Sequence, residues 1–161
     1  MTLEQLLKIC KNFNEYEVKY VIVGGIAIIL HGFERKTMDV DIIIVPSKEN
    51  VIKIISALKN EIPEIAELQI EDIQKYLTVK VVGKILGKET EIDLIREMWG
   101  VNYIKAQKNQ EIQQIHGVKI PIANIDTLIE MKKESNRLQD KEDLIFLTGK
   151  KKYLQQKNNK S

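Results

Sequence analysis

The chain has 161 residues, 43% hydrophobic, 30% charged and only 6% aromatic, a length that suits one domain with a core of its own. The formal net charge of +2 hides a division: residues 149–161 hold five lysines and no acid, leaving the preceding body with 20 basic against 23 acidic residues. A mildly acidic body argues against a dedicated duplex-binding module, whose folded face carries basic stripes.

Leu3, Leu6, Leu7, Cys10 and Phe13 recur at helical spacing and predict an amphipathic first helix. With Glu4 inside it, this segment does not read as a secretory leader. The β-branched run Tyr20–Val23 predicts a buried strand that stops at Gly24-Gly25, and Ile26–His31 a helix closed by Gly32. Val40–Val45 reads as a second strand ended by Pro46. Ser47 and Asn50 open a helix with Val51, Ile54, Ile55 and Leu58 on its apolar face, interrupted near Pro63. Tyr76–Val82 and Glu89–Ile95 predict an antiparallel hairpin around a Gly83…Gly87 turn. Lys119–Ile122 is a further strand, and Asn124 caps a helix through Leu128 and Met131-Lys132. A short last helix, Asp140–Leu147, is predicted to end at Gly149.

No apolar run reaches the 18–20 residues that span a bilayer; the longest, Tyr20–Leu30, includes two glycines. Cys10 is the one cysteine, so neither an internal disulfide nor a cysteine zinc site is available, and two histidines make no metal cluster. These features predict a reduced, cytoplasmic protein. The fold class is α/β (α+β), a mixed central sheet flanked by helices. One domain covers 1–148, with a core about 18–95 and an extension 96–148, followed by a basic flexible tail, 149–161.

The chemistry concentrates at the second strand. Side chains alternate along a strand, so Asp39 and Asp41 share a face, about 7 Å apart, while Val40 and Ile42 take the other. Two carboxylates so placed can converge on hard cations. In Glu91-Ile-Asp-Leu-Ile95 the acids alternate with apolar residues, and a strand here, laid beside the first pair, brings a third carboxylate. Phosphoryl transfer on two Mg²⁺ uses such a triad. Alternation leaves open whether Glu91 or Asp93 is the third acid, since both share one face. Gly24-Gly25, at a strand-to-helix junction, admits close backbone approach of a polyphosphate, although neither a Walker loop nor a dinucleotide fingerprint is present. Arg35, Lys36, Lys132, Lys133 and Arg137 are the cations that could face phosphate oxygens. Arg35 and Thr37 precede the acidic strand and could equally pair with an aspartate. Asp140 and Asp143 are expected to brace the final helices through Arg137. His31, Trp99, Tyr103 and Tyr153 read first as packing residues.

Taken together, Gly24-Gly25-x-Ala27-x-x-x-His31-Gly32-x-x-Arg35-x-Thr37-x-Asp39-x-Asp41 resembles the nucleotidyltransferase superfamily with the polymerase-β-like fold. Its form is similar to small bacterial members, including nucleotidyltransferase toxins of abortive-infection and type IV toxin–antitoxin systems. Ile120-Pro-Ile-Ala-Asn124, Leu128-Ile-Glu-Met-Lys132 and Arg137-x-x-Asp140-x-x-Asp143 extend the likeness from about Tyr20 to Leu147. The resemblance implies transfer of a nucleoside monophosphate from an NTP on two Mg²⁺ ions, with Mn²⁺ an alternative. Asp39, Asp41 and Asp93 would be catalytic and metal-binding; Gly24, Gly25, Arg35, Thr37 and Lys132 would bind nucleotide. Many relatives have Gly-Ser, whose hydroxyl touches phosphate; Gly25 lacks that group. The acceptor stays open among RNA (tRNA included), protein and small molecules, as does a homodimer or cognate partner protein completing its site. The alternative is a weakly active or inactive nucleotide-binding or partner-binding module on the same fold.

Overall fold

The computed structural model describes residues 1–160. Helix α1 (Leu3–Glu15) starts in a capping box, in which the Thr2 hydroxyl accepts from the Gln5 amide and the Gln5 side chain accepts from the Thr2 amide. It leads into β1 (Tyr20–Val23), α2 (Gly24–Leu30), β2 (Asp39–Ile44) and α3 (Lys48–Leu58). Ser47 caps α3, and the Asn50 amide bonds Lys19 and Val45 carbonyls, tying the start of β1 to the end of β2. A 3₁₀ turn (Pro63–Glu67) and α4 (Ile70–Lys75) precede the hairpin β3 (Thr78–Ile85) and β4 (Lys88–Ile95). A two-stranded ribbon, β5 (Glu97–Met98) and β6 (Val101–Asn102), is followed by α5 (Tyr103–Lys108). The chain ends with β7 (Glu111–Ile115), β8 (Val118–Ile122), α6 (Ile125–Lys132) and α7 (Leu138–Asn159).

The main sheet runs β3-β4-β2-β1-β8-β7. β2 is antiparallel to β1 and parallel to β4, and β8 is parallel to β1, so the sheet is mixed, as its alternating sequence predicts. Val40, Ile42 and Ile44 are fully buried on one face of β2, which leaves Asp39 and Asp41 on the other. The core is dominated by branched aliphatics; α1 packs on α3 and β8 with Leu6, Ile9 and Phe13 inside. Burial of such side chains is worth about 1.5–3 kcal/mol each.

Three sequence expectations need correction. Gly83 belongs to β3, and the hairpin turns at Leu86-Gly87, both with positive φ (+54° and +73°). A side chain at Gly83 would lie 2.5 Å from Ile62 Cγ2, so this glycine serves close packing rather than a turn. The extension brings the expected strand over 119–122 into the main sheet as β8, beside β1, and adds β7 next to it. β7 carries no strand signal strong enough to predict it, and the His116-Gly117 turn, with φ of +47° and +78°, joins it to β8 as a hairpin. Finally, α7 runs through Gly149 to Asn159, so residues 150–159 are helical and not a flexible tail. A mid-helix glycine costs about 1 kcal/mol relative to alanine. Here Lys150 donates to the His31 carbonyl and Lys151 pairs with Asp126 at 2.7 Å, contacts that hold the extra turns against the body.

Candidate active site

β1 ends where the acids begin. Val23 stands opposite Asp41 in the antiparallel pair, and the parallel register of β2 with β4 puts Asp41 beside Asp93 and Asp39 beside Glu91. One carboxylate oxygen from each of Asp39, Asp41 and Asp93 lies within 4.8 Å of the others. Glu91 shares their face but points to Lys80, 3.0 Å away. Of the two acids that alternation left open, Asp93 is therefore the one in the cluster.

Lys80 is a site residue that sequence reasoning missed. It lies opposite Asp93 on β3, and its Nζ stands 3.1 Å from Asp93, 3.0 Å from Glu91 and 3.9 Å from Asp39. Partial desolvation would lower its pKa, but hydrogen bonds to Glu91 and Asp93 and their charges push it up to about 12. The hairpin register alone would have found it, once the turn is placed at Leu86-Gly87.

Gly24 and Gly25 open α2. Gly24 has φ +64°, and a Cβ there would meet Asp41 Oδ2 at 2.1 Å. A Cβ on Gly25 would sit 2.4 Å from Arg35 Nη1 and 3.2 Å from Thr37 Oγ1. The absent side chain thus makes room for a guanidinium. Arg35 is 14% exposed, and its Nε faces buried Asp143 at 3.4 Å, too poorly aligned for a hydrogen bond. Nε and Nη1 are consequently buried without hydrogen-bond partners. A cation with open donors beside two backbone glycines is suited to an anionic ligand. Thr37 donates to Asp39 Oδ1 at 3.1 Å and orients that carboxylate.

Lys132 lines the same cleft but already meets Asp140 at 2.5 Å and Asp143 at 3.0 Å. Hydrogen bonds from Lys132 and Ser135 hold the Asp140 carboxyl below its ordinary range, overcoming the opposing effect of burial. The bracing expected through Arg137 is only partial: Arg137 meets Asp140 at 3.7 Å, whereas Asp143 is met by Arg35 and Lys132. Lys36 and Lys133 are exposed and outside the cleft lining. His31 is buried away from it, with Nε2 2.9 Å from the Ala123 carbonyl oxygen.

Burial, then the charges of Asp39 and Asp93 and a hydrogen bond with Asp93, push the Asp41 carboxyl up to about 7; Lys132 pulls the other way. Three crowded carboxylates, with Lys80 against Asp93 and Asp39 and Lys132 acting on Asp41, form an all-oxygen, hard donor set, which fits Mg²⁺ or Mn²⁺ better than zinc. In the unfolded chain Asp41 ionises near 4, so in the absence of divalent ions its contribution is fully present below that pH and is lost as pH rises through about 7. Denaturation in EDTA should show stability falling between pH 4 and 7. Asp41→Asn should flatten that slope, and Mg²⁺ should raise Tm most at pH 7 and above.

A strand ending in Gly-Gly, a helix, and two acids on the next strand with a third on its parallel neighbour define a nucleotidyltransferase of the superfamily resembled by the sequence. The chain belongs to a family described as nucleotidyltransferases of unknown function (DUF6036), whose profile matches residues 1–147. Among solved structures it is similar to a "putative nucleotidyltransferase" from Thermotoga maritima, with a TM-score of 0.56 and 18% identity over 96% of this chain and 92% of that one. At that identity the likeness shows the fold. No curated protein matches by sequence. No helix among the described residues is long and apolar enough to cross a membrane.

Proposed function

We propose that this protein transfers a nucleoside monophosphate from an NTP to an acceptor hydroxyl, with two divalent ions held by Asp39, Asp41 and Asp93. The observation that carries the reading is the convergence of those three carboxylates beside Gly24 and Gly25 in one cleft of 330 Å³. A scaffold has no use for three gathered carboxylates, one of which burial and then its neighbours' charges raise to about 7.

When bound, the ions would neutralise phosphate charge and increase the acidity of the acceptor hydroxyl. The chain's own groups do the rest. The Gly24-Gly25 backbone and the unpartnered Nη1 of Arg35, beside Gly25, hold the triphosphate, in place of the serine hydroxyl that this chain lacks. Thr37 keeps Asp39 aimed at the cleft. Asp93 receives the acceptor's proton as its oxygen bonds to the α-phosphorus; the bond to the bridging oxygen breaks and pyrophosphate leaves. Lys80 steadies Asp93 and stands on the open β3 edge, where an acceptor would approach. Lys132 tunes Asp41 by its charge and braces α6 on α7 through Asp140 and Asp143.

The acceptor is an RNA end, a protein or a small molecule, and an RNA acceptor would give the lysines of α7 a use as nonspecific phosphate contacts. Incubation with each of four α-labelled NTPs and Mg²⁺ in cell extract identifies it by what becomes labelled. Labelled product and released pyrophosphate are expected. The absence of both, with every nucleotide and with Mn²⁺ in place of Mg²⁺, would overturn the reading.

A further inference from the structure

We propose that Trp99 is the nucleobase platform of this cleft: the base of the NTP stacks on its indole while the triphosphate lies toward Gly24 and Arg35. The inference rests on the nucleotidyl-transfer reading and adds the element that holds the nucleoside end.

Trp99 and Gly100 form the two-residue turn between β5 and β6, with φ of +51° and +78°. Such turns favour Asn, Asp or Gly at the first position, because a bulky side chain is strained at positive φ. The strain does not serve packing. Trp99 is 53% exposed, while buried Val101 and part-buried Met98 anchor the ribbon to the core. Leu86, in the β3–β4 turn, takes the same conformation with similar exposure, and what sets Trp99 apart is its place on the wall of the cleft.

Trp99 lines the same cavity as Gly24, Gly25, Asp41 and Asp93. That cavity has two kinds of lining. The acids, glycines and Arg35 suit a metal-bound triphosphate; Met98, Trp99, Leu128 and Met131 offer an apolar lining for a flat ring. Of the polar groups near the apolar residues, Ser135 is engaged: it donates to Asp140 at 2.6 Å and accepts from the Arg137 amide, while the exposed Arg137 guanidinium lies 3.7 Å from Asp140. Recognition by stacking is tolerant of base identity, since every base has a π-face, so all four NTPs should bind.

Trp99 is the single tryptophan of the chain, so its emission reports on this position alone. With Mg²⁺ present, each NTP should quench that emission saturably, whereas inorganic tripolyphosphate should bind, by calorimetry, without quenching it. Trp99→Asn places a residue the turn prefers, so the variant should fold with equal or greater stability. Its NTP affinity should nevertheless fall by about 5- to 150-fold, the usual range for loss of one base stack, with tripolyphosphate affinity unchanged. Trp99→Phe should retain most of the NTP affinity. NTP binding that leaves the emission unchanged, or that Trp99→Asn does not weaken, would overturn the platform and leave the transfer reading standing. Quenching by RNA but not by NTPs would also overturn it, moving Trp99 to the acceptor side. Failure of both NTP and tripolyphosphate to bind with Mg²⁺ would remove the transfer reading and this inference with it.

Discussion

Asp39→Asn, Asp41→Asn and Asp93→Asn should each lower nucleotidyl transfer by roughly 10³-fold or more, because each removes charge worth several kcal/mol to the transition state. The fold should survive all three changes, since the acids line a cleft where Asn keeps their size, and Val40, Ile42 and Ile44 still pack the other face of β2. Asp41→Asn should even be more stable than the parent at pH 8 without metal, by about 0.5–2 kcal/mol, as expected when crowded like charges at a functional site are relieved. Labelled-nucleotide transfer and EDTA-treated thermal melts measure the two effects on the same preparations. Activity that persists in all three variants would remove the carboxylates from the reaction. Glu91→Gln is the internal contrast: Glu91 shares their face but pairs with Lys80 outside the cluster, so its loss should cost far less.

Gly24→Ala should be nearly as damaging, by another route. A Cβ there would fall 2.1 Å from Asp41 Oδ2 and 3.0 Å from its Cβ, so the whole carboxylate must move and not merely rotate. The backbone is also at φ +64°, which costs a non-glycine residue about 1–2 kcal/mol. A shift of about 1 Å in a reacting constellation can cost 10²-fold in rate. A loss of transfer of at least that size is expected, with a fall in Tm and weaker Mg²⁺ binding by calorimetry. Gly25→Ala makes a useful comparison, because its Cβ would meet the far end of the flexible Arg35 side chain at 2.4 Å. That arginine can swing aside, so the expected damage is to NTP affinity with little change in melting.

Much of the site was legible before folding because it is written in local spacing. Asp39 and Asp41 share a face through the two-residue period of a strand, and Gly24-Gly25 announces a tight junction whatever surrounds it. The later elements were less legible where local signals conflicted with packing. Gly83 reads as a turn residue, yet Ile62 explains it as a packing glycine. Gly149 reads as a helix stop, yet contacts from Lys150 and Lys151 carry α7 ten residues further. Glu111–Ile115 has too weak an alternation to stand out, and pairing with β8 makes it a strand.

The sequence by itself determined the kinds of groups, their faces and the mixed α/β class, since alternation and capping are properties of neighbours along the chain. Only the tertiary structure decided which groups meet. The parallel register of β2 with β4 selected Asp93 over Glu91, and the hairpin register brought Lys80 to Asp93. Packing under Gly25 drew Arg35 into the space a side chain would fill, and the β5–β6 turn set Trp99 on the wall of the cleft. The near-neutral charge total is resolved the same way. Its acids and cations matter through a few ångströms of separation set by strand pairing, and a composition carries no distances.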